Sequence, residues 1–433
     1  MSLQFITGNS GNGKTKYLFN RIVKEAKANP RDNYLVIVPE QFTMQTQRQL
    51  VDLSENKAIM NIDVLSFKRL AYRVFDELGI TNLTVLEETG KNLVLRKLAA
   101  QEADKLGVIG RNLNRIGYIS EVKSLLSELV QYNISPEELG RYIASGRLSD
   151  TLSDKLKDVL VLYEAFEKFM QDKYITAEEI LNVLSNVAEE SAILRNSVIA
   201  FDEFTGFTPI QNQLIKKLFV ISKKIYVTLT IDCREDIFKS RGMQELFDMP
   251  KRTVKSLTEM AAFYGIEVEE PIILDKNYRL AENEELSFME QQLFRKRRCS
   301  FKKVPKHIHI DCLRDPKQEL TKIARRINEL VRNENLRYRD IAIVTGDVNI
   351  YAGYVREIFD KYNIPYFIDA TQEILFHPFI EFIRSIPDIA AQHFSADAVF
   401  RFLRCGFSEL LDSEIDVLEN YVLACGVRGK SAW

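Results

Sequence analysis

Eight residues near the start of the chain have the types and spacing of a phosphate-binding loop, G-x-x-x-x-G-K-[ST]. They are Gly8, Asn9, Ser10, Gly11, Asn12, Gly13, Lys14 and Thr15. An apolar stretch precedes them and a helical pattern follows, so the sequence predicts a strand, a tight loop and a helix. In such a loop, Lys14 pairs with the terminal phosphates and Thr15 ligates magnesium. We therefore expect ATP and Mg²⁺ to bind here; the alternative is an ordinary glycine-rich turn.

A pair of carboxylates, Asp202 and Glu203, follows the apolar run 198–201. A P-loop ATPase needs one carboxylate for the magnesium shell and a second to orient the attacking water. Asp202 is predicted to be the magnesium-associated group and Glu203 the catalytic base. An Asp-Glu pair after a strand is also common as a plain helix cap, so this assignment depends on the phosphate loop lying on the same sheet.

The elements that must position these residues are strands of one α/β sheet. Apolar and β-branched runs predict strands at 3–7, 34–38, 197–201 and 225–230. Between residues 86 and 191 the pattern changes to long amphipathic helices, with capping boxes beginning at Ser135 and Thr176. The sequence therefore predicts a parallel sheet of the P-loop NTPase class, interrupted by a large helical insertion.

The C-terminal part of the chain is predicted to open a second α/β unit. Runs at 341–344 and 366–368 are predicted strands on either side of a helix, and residues 376–433 are predicted to be helical. Two strands are too few to close a sheet, so we expect the chain to be a fragment of a longer protein. A basic cluster at 295–306 precedes this unit; it is either a solvated linker or a strip that contacts phosphates.

Composition narrows the class of protein. The 433 residues carry a formal net charge of −2, so any contact with DNA must come from local patches. The five cysteines form no C-x-x-C pair, which argues against a zinc site or a disulfide framework and fits a reducing cytoplasm. No stretch approaches the length of a membrane span, so no membrane partner is expected.

The motifs together resemble those of the UvrD-like superfamily 1 helicases, and within them the AddB or RexB subunits of ATP-dependent helicase/deoxyribonucleases. The matching segments are the phosphate loop, S-F-K-R-L-A-Y-R at 66–73, D-E-F-T-G-F-T-P-I-Q at 202–211, N-Y-R at 277–279 and I-P-Y at 364–366. Segments similar to AddB in particular are V-P-E-Q-F-T at 38–43 and L-E-N-Y-V-L-A-C-G at 418–426.

The resemblance implies a domain plan. Residues 1–85 and 192–300 would form a first RecA-like helicase domain and 86–191 its helical insertion. Residues 301–375 would begin a second RecA-like domain, and 376–433 a second helical insertion.

The resemblance also implies a role in repairing double-strand breaks by recombination. An AddA-type helicase/nuclease subunit would be the partner, and single- and double-stranded DNA the substrates. This chain would guide one strand and scan it for Chi. An iron–sulfur cluster and a nuclease domain would lie only in a C-terminal region beyond this sequence. By similarity, the DNA path would involve Phe42, Phe67, Lys68, Arg69 and Arg73; aromatic residues of this kind are more often simply part of the core.

Three departures from the helicase pattern predict weak coupling between ATP and DNA. Thr205 stands where a working motor has Gln, and the segment 231–236 lacks the Gln of the third motif. Gly346 stands where a motor has the arginine that stabilises the transferred phosphate. We therefore expect nucleotide binding without motor activity. The open alternatives are an active helicase motor, a P-loop kinase or small-molecule ATPase, and a scaffold with a vestigial loop.

Overall fold

A computed structural model describes residues 1–81, 84–108, 110, 117–145, 148–170, 174–294, 299–369, 374 and 376–433. These residues form two compact units, 1–308 and 309–433. The described strands are β1 (Ser2–Gly8), β2 (Tyr34–Ile37), β3 (Ile62–Leu65), β4 (Val85–Leu86), β5 (Ile175–Thr176), β6 (Val198–Phe201), β7 (Lys224–Thr230), β8 (Glu267–Val268) and β9 (Ile272–Leu274).

The described helices of the first unit lie between and after these strands. They are α1 (Lys14–Ala28), α2 (Thr43–Leu53), α3 (Phe67–Leu78), α4 (Glu88–Gln101), α5 (Tyr118–Gln131), α6 (Pro136–Ala144), α7 (Asp150–Met170), α8 (Ile180–Val187), α9 (Pro209–Ile221), α10 (Asp248–Phe263) and α11 (Glu284–Gln292). The second unit contains α12 (Pro316–Asn333), α13 (Val348–Lys361), α14 (Pro378–Ala391), α15 (Ala396–Leu403) and α16 (Asp412–Cys425).

The sheet of the first unit has the order β3-β2-β6-β7-β1-β8, with β9 also pairing with β1. All of these pairings are parallel. The four predicted strands are confirmed within one residue at each end. The sequence does not predict the short strands β3, β8 and β9, because two to four half-buried residues carry too little periodic signal.

Alternating side chains of the strands pack into two separate apolar layers, as expected for a sheet covered on both faces. One layer contains Phe5, Leu35 and Ile199 together with α3, α8, α9 and α10. The other contains Ile6, Val36 and Ala200 together with α1 and α2. The carboxyl ends of β1, β6 and β7 consequently lie side by side at one edge of the sheet.

Helices α4 to α7 pack around an apolar core of their own. The two-stranded pair β4–β5 closes it. Lys91 of α4 is buried and pairs with Glu178 at 2.7 Å, which joins the first helix of the insertion to the segment after its last helix. Helix α8, which the sequence pattern assigns to the insertion, packs on the core of the main sheet instead. An amphipathic pattern predicts a helix but does not specify which of two cores it faces.

The second unit has two small cores, one between α12 and α13 and one around α15 and α16. The prediction of strands at 341–344 and 366–368 was wrong for the described residues, since neither run has a strand partner. A β-branched run needs a hydrogen-bonding neighbour to become a strand, and sequence propensity does not supply one. None of the helices in the described ranges is both long enough and apolar enough to span a bilayer.

Candidate nucleotide site

The loop between β1 and α1 is a tight turn that ends at the N-terminus of a helix. Gly13 caps the start of α1 in the left-handed conformation, with φ of 78°. The first turn of a helix leaves main-chain N–H groups without intrahelical partners, and these groups face an anion placed at the helix N-terminus. The sequence prediction of a strand, a tight loop and a helix is confirmed.

Gly11 allows another segment to pack directly on this loop. Its φ is +88°, and a Cβ atom built there would lie 2.7 Å from Cβ of Arg279 and 2.8 Å from Oδ1 of Asn277. The Tyr278 N–H donates to the Gly11 carbonyl at 3.0 Å, and Asn277 Nδ2 donates to the Ser10 carbonyl at 3.0 Å. The segment 277–279 therefore forms one wall of the loop.

Arg279 brings a second cation to the loop. Its guanidinium donates to the Ser10 hydroxyl at 3.3 Å. Burial lowers the pKa of Lys14, and the positive charge of Arg279 acts in the same direction. The motif N-Y-R at 277–279 contributes to the family resemblance, but the sequence pattern does not predict that Arg279 lies in the site. The signal that could have revealed its role is the presence of an arginine within a motif shared with ATP-driven enzymes.

The Lys14 ammonium group lies over the loop itself. It donates to the main-chain carbonyls of Gly8 and Asn9, at 3.0 Å in each case. Burial lowers the pKa of Lys14, while the carboxylates of Glu203 and Asp202 oppose this effect. A phosphate group at the loop would compete with the two carbonyls for this cation.

Asp202 and Glu203 lie at the carboxyl end of β6, facing Lys14 and Thr15. Asp202 is buried, and its Oδ1 accepts a hydrogen bond from the Thr228 hydroxyl. In the described part of the chain, Oδ2 of Asp202 has no hydrogen-bond partner within 3.5 Å, although the Thr15 hydroxyl is near enough to interact with this carboxylate. Burial raises the pKa of Asp202, against the effect of the Thr228 bond. Glu203 is exposed, and its Oε1 accepts from the Thr15 hydroxyl at 3.3 Å.

These groups line one open cleft of about 880 Å³. Its walls are formed by the loop and α1, by the ends of β6 and β7, by one side of α2 and by the segment 278–279. The named site residues among its lining are Ser10, Gly11, Gly13, Lys14, Thr15, Phe42, Asp202, Glu203, Thr205 and Arg279.

Two buried loop residues that do not line the cleft, Asn9 and Asn12, hold the loop in place. Their side chains form hydrogen bonds with Cys233, Glu290 and Leu274. The structure thus brings the predicted phosphate-loop and carboxylate residues together.

The five residues predicted to lie along a DNA path have different surroundings. Phe42 is half-buried and lines the cleft. Phe67 is buried, and its ring packs against those of Phe201, Phe204 and Phe207. The prediction that Phe67 stacks on DNA bases is therefore corrected: its ring belongs to the core. The run 66–73 begins α3, where a buried aromatic residue sits beside exposed basic ones.

The basic residues on α3 are exposed, as the prediction requires. Arg69 pairs with Glu40 at 3.2 Å, and Arg73 pairs with Asp63 at 3.7 Å. Lys68 is exposed on the same helix. Residues 295–298 of the predicted basic cluster lie outside the described residues. Of the remainder, Lys303 pairs with Glu284.

Comparison with known proteins assigns the chain to a family. The profile of the AddB N-terminal family (ADDB, N-terminal) matches residues 5–290. The chain belongs to the AddB family. The match covers the β1 loop, the insertion, the carboxylates after β6 and the segment 277–279, so every part of the cleft lies within the AddB-type region.

Curated AddB relatives match over the whole length of this chain. One of them, an ATP-dependent helicase/deoxyribonuclease subunit of Lachnoclostridium phytofermentans, is 39% identical over 99% of the chain. Proteins of the same name from Clostridium tetani and Clostridium acetobutylicum are each 34% identical, over 99% and 100% of the chain. The chain spans about 38% of the length of these relatives.

Proposed function

We propose that this chain is the nucleotide-binding, helicase-like part of an ATP-dependent helicase/deoxyribonuclease, and that ATP with Mg²⁺ binds in the cleft at the β1 loop. One observation carries the proposal: Lys14 and Arg279, Thr15 and the buried carboxylate of Asp202 converge at the N-terminus of α1. This combination of two cations, a hydroxyl and a carboxylate beside free helix N–H groups matches the chemistry of a triphosphate and its metal.

The residues present fit a magnesium ion. Mg²⁺ prefers oxygen ligands and is usually held by one or two carboxylates, several waters and the phosphates of the nucleotide. Asp202 has a buried Oδ2 atom without a partner in the described residues, and the Thr15 hydroxyl faces the neighbouring Glu203. Thr15 and Asp202 would hold the ion, which would neutralise charge on the phosphates. Glu203 would orient a water molecule.

Lys14 has a defined task when the nucleotide enters. Its ammonium group leaves the carbonyls of Gly8 and Asn9 and pairs with the terminal phosphates. Arg279 remains at the edge of the cleft, beside Ser10, as a second positive charge. The P-loop and RecA-like assignment of the fold rests on this arrangement together with the parallel sheet.

We propose no motor activity for this chain. Thr205 lines the cleft in the place where a working motor has a glutamine, and its shorter side chain has no amide to contact a phosphate. Gly346 provides no side chain at the position of the second-domain arginine. ATP would then act mainly as a ligand that stabilises the first unit by mass action.

The name shared by the relatives supports a partner and a substrate. We infer that the chain works with an AddA-type helicase/nuclease subunit in processing DNA double-strand breaks for recombination. Single-stranded DNA would run past α3, where Lys68, Arg69 and Arg73 are exposed. Scanning for Chi, hydrolase activity of the complex and a cytoplasmic location belong to the same proposal and rest on the family alone.

Isothermal calorimetry with Mg-ATP tests the nucleotide site directly. Lys14→Ala should weaken binding by about 10- to 100-fold, because a charge-assisted hydrogen bond to a phosphate contributes about 1.5–3 kcal/mol. Lys24→Ala is the matched control, since Lys24 is an exposed lysine of the same helix outside the cleft. Equal affinities for wild type and Lys14→Ala would contradict the proposal.

A further inference from the structure

The side chain of Asn9 connects the phosphate loop to two distant segments. Asn9 is buried, and its Oδ1 accepts a hydrogen bond from the main-chain N–H of Cys233 at 3.0 Å. Its Nδ2 donates to the carboxylate of Glu290. Its own carbonyl accepts from Lys14 Nζ at 3.0 Å. One residue of the loop therefore contacts the proposed phosphate-binding cation and both segments at once.

The first segment is the loop after β7, at residues 231–236. This is the place where the helicase pattern would carry a glutamine that responds to the nucleotide, and where this chain has none. Asp232 is buried and forms two bonds to the Arg234 guanidinium, at 2.8 and 2.6 Å. The loop is thereby held in a defined shape, and its Cys233 N–H points at the phosphate loop.

The second segment is α11, through Glu290. The same helix holds residues 301–307, the last part of the first unit. Glu285 of α11 accepts from the main-chain N–H groups of Lys306 and His307, at 2.7 and 2.8 Å. The rings of Phe288 and Phe301 pack with centroids 5.3 Å apart. A shift of Asn9 would consequently displace α11 and, with it, the segment 301–307.

We propose that Asn9 is a positioning residue that transmits occupancy of the phosphate loop to residues 231–236 and to α11. The inference rests on the proposed nucleotide site. When a phosphate draws Lys14 away, the Asn9 carbonyl loses its charged donor and keeps the bond from the Asn12 N–H at 3.2 Å, so the peptide can adjust about that turn. Because the side chain is bonded at both ends, the adjustment changes the bonds to Cys233 and Glu290. A main-chain amide thus takes the place of the missing glutamine side chain.

Hydrogen exchange measured by mass spectrometry tests this proposal on the 433-residue chain, with and without Mg-ATP. In the wild type, ATP should change exchange in peptides covering 231–236, 284–292 and 301–307. Asn9→Ala, measured at an Mg-ATP concentration that saturates it in calorimetry, should lose all three responses; if it binds no ATP, the Glu290 variants below decide. Glu290→Ala should lose only the responses at 284–292 and 301–307. Glu290→Gln keeps an acceptor for Asn9 Nδ2 and should restore them.

The outcomes separate the two proposals. If calorimetry shows no ATP binding by the wild type, the proposed function fails, and this inference fails with it. If ATP binds but exchange at 231–236 and α11 does not change, the inference alone is overturned. Retention of all responses in Asn9→Ala would also overturn it. Should Asn9→Ala fail to fold by circular dichroism, the Glu290→Ala and Glu290→Gln pair decides the matter.

Asn12→Ala controls for general damage to the loop. Asn12 is the other buried asparagine there, and its Nδ2 donates to the Leu274 carbonyl at 2.6 Å. It is bonded neither to Cys233 nor to Glu290. An Asn12→Ala protein that binds ATP should therefore keep the exchange responses that Asn9→Ala loses, and their loss in both variants would overturn a specific role for Asn9.

Discussion

The Thr15 hydroxyl donates a hydrogen bond to Oε1 of Glu203 at 3.3 Å, although 188 residues separate the two positions in the sequence. Glu203 has a φ of 63°, a left-handed conformation that is strained for a residue with a Cβ atom. Such strain persists only where the surrounding structure fixes it. The sheet edge therefore holds this carboxylate beside the phosphate loop at a cost in stability.

Asp202 is also expected to reduce the stability of the fold, through burial of its carboxylate. Replacing it by Asn should raise the free energy of unfolding at neutral pH by on the order of 1 kcal/mol, because burial penalises the charged form of Asp202, whereas a neutral amide keeps an oxygen to accept from Thr228. The same change should abolish the effect of Mg²⁺ on ATP binding. Thermal melts and calorimetry measure the two effects.

The difference in unfolding free energy between Asp202→Asn and wild type should increase as pH rises. Burial raises the pKa of Asp202 in the folded state above its ordinary value of 3.8. Between that value and the raised pKa, the folded protein binds the proton more tightly than the unfolded chain does. The bound proton therefore stabilises the folded wild type at low pH, and this stabilisation is lost as pH rises through this window. The gap between variant and wild type should therefore widen from acid to neutral pH.

Asp232→Asn provides the contrast. Asp232 is buried too, but it is paired with Arg234. Its carboxylate accepts hydrogen bonds from the main-chain N–H and the guanidinium of Arg234. An Asn side chain would place an amide NH₂ against these donors, so this variant should be less stable than wild type. A gain in stability from Asp232→Asn would show that burial alone, without regard to partners, governs both sites.

Gly11→Ala should remove nucleotide binding and destabilise the first unit. The new Cβ would have to displace Asn277 and Arg279, in addition to about 1–2 kcal/mol for a left-handed alanine. Gly79→Ala is the matched control, since Gly79 has a φ of +70° at the end of α3 and no atom within 4 Å of a built Cβ. Gly79→Ala should show only the conformational cost, measured by urea unfolding. Equal losses of stability in the two variants would mean that the contact with 277–279 contributes nothing.

Single-stranded DNA should bind mainly through phosphate contacts, so its affinity should fall steeply with salt. Lys68→Ala should weaken binding for every DNA sequence and reduce the slope of log K against log salt by about 1. Lys24→Ala, on a helix that packs on the opposite face of the sheet, should leave the slope unchanged. Fluorescence anisotropy at several salt concentrations measures this. Salt-independent binding would move the DNA path away from α3.

Glu40→Gln tests whether carboxylates on this surface restrain the arginines. Glu40 accepts hydrogen bonds from both Arg69 and the Ser66 hydroxyl. Removing its charge should leave Arg69 available to a phosphate and strengthen DNA binding severalfold. An unchanged affinity in the same anisotropy titration would show that Arg69 does not meet the DNA.

The chain alone should not unwind duplex DNA and should turn over ATP very slowly. A site that cannot distinguish ATP from ADP gains no differential affinity between open and closed states. A thermal shift with ATP, but no stimulation of hydrolysis by single-stranded DNA, is the expected result. Rapid DNA-stimulated hydrolysis that Glu203→Gln abolishes would show that the departures at Thr205 and Gly346 are tolerated.

The sequence by itself determined the local parts of the candidate site. The spacing from Gly8 to Thr15 specifies a turn that needs glycine at Gly13, and the apolar runs specify β1, β2, β6 and β7. These features depend on steric limits and periodicity within a few residues, so they can be recognised without knowing the fold. The positions of Asp202 and Glu203 at a strand end could be predicted for the same reason.

Only the tertiary structure decided which residues meet. The partners of Asn9, the packing of Asn277 to Arg279 on the loop and the burial of Phe67 all join positions far apart in the chain. The packing of α8 on the main core and the unpaired runs of the second unit were likewise decided by neighbours that local propensity does not specify. Hydrogen bonds and apolar burial act between surfaces in space, and one sequence pattern is compatible with several choices of neighbour.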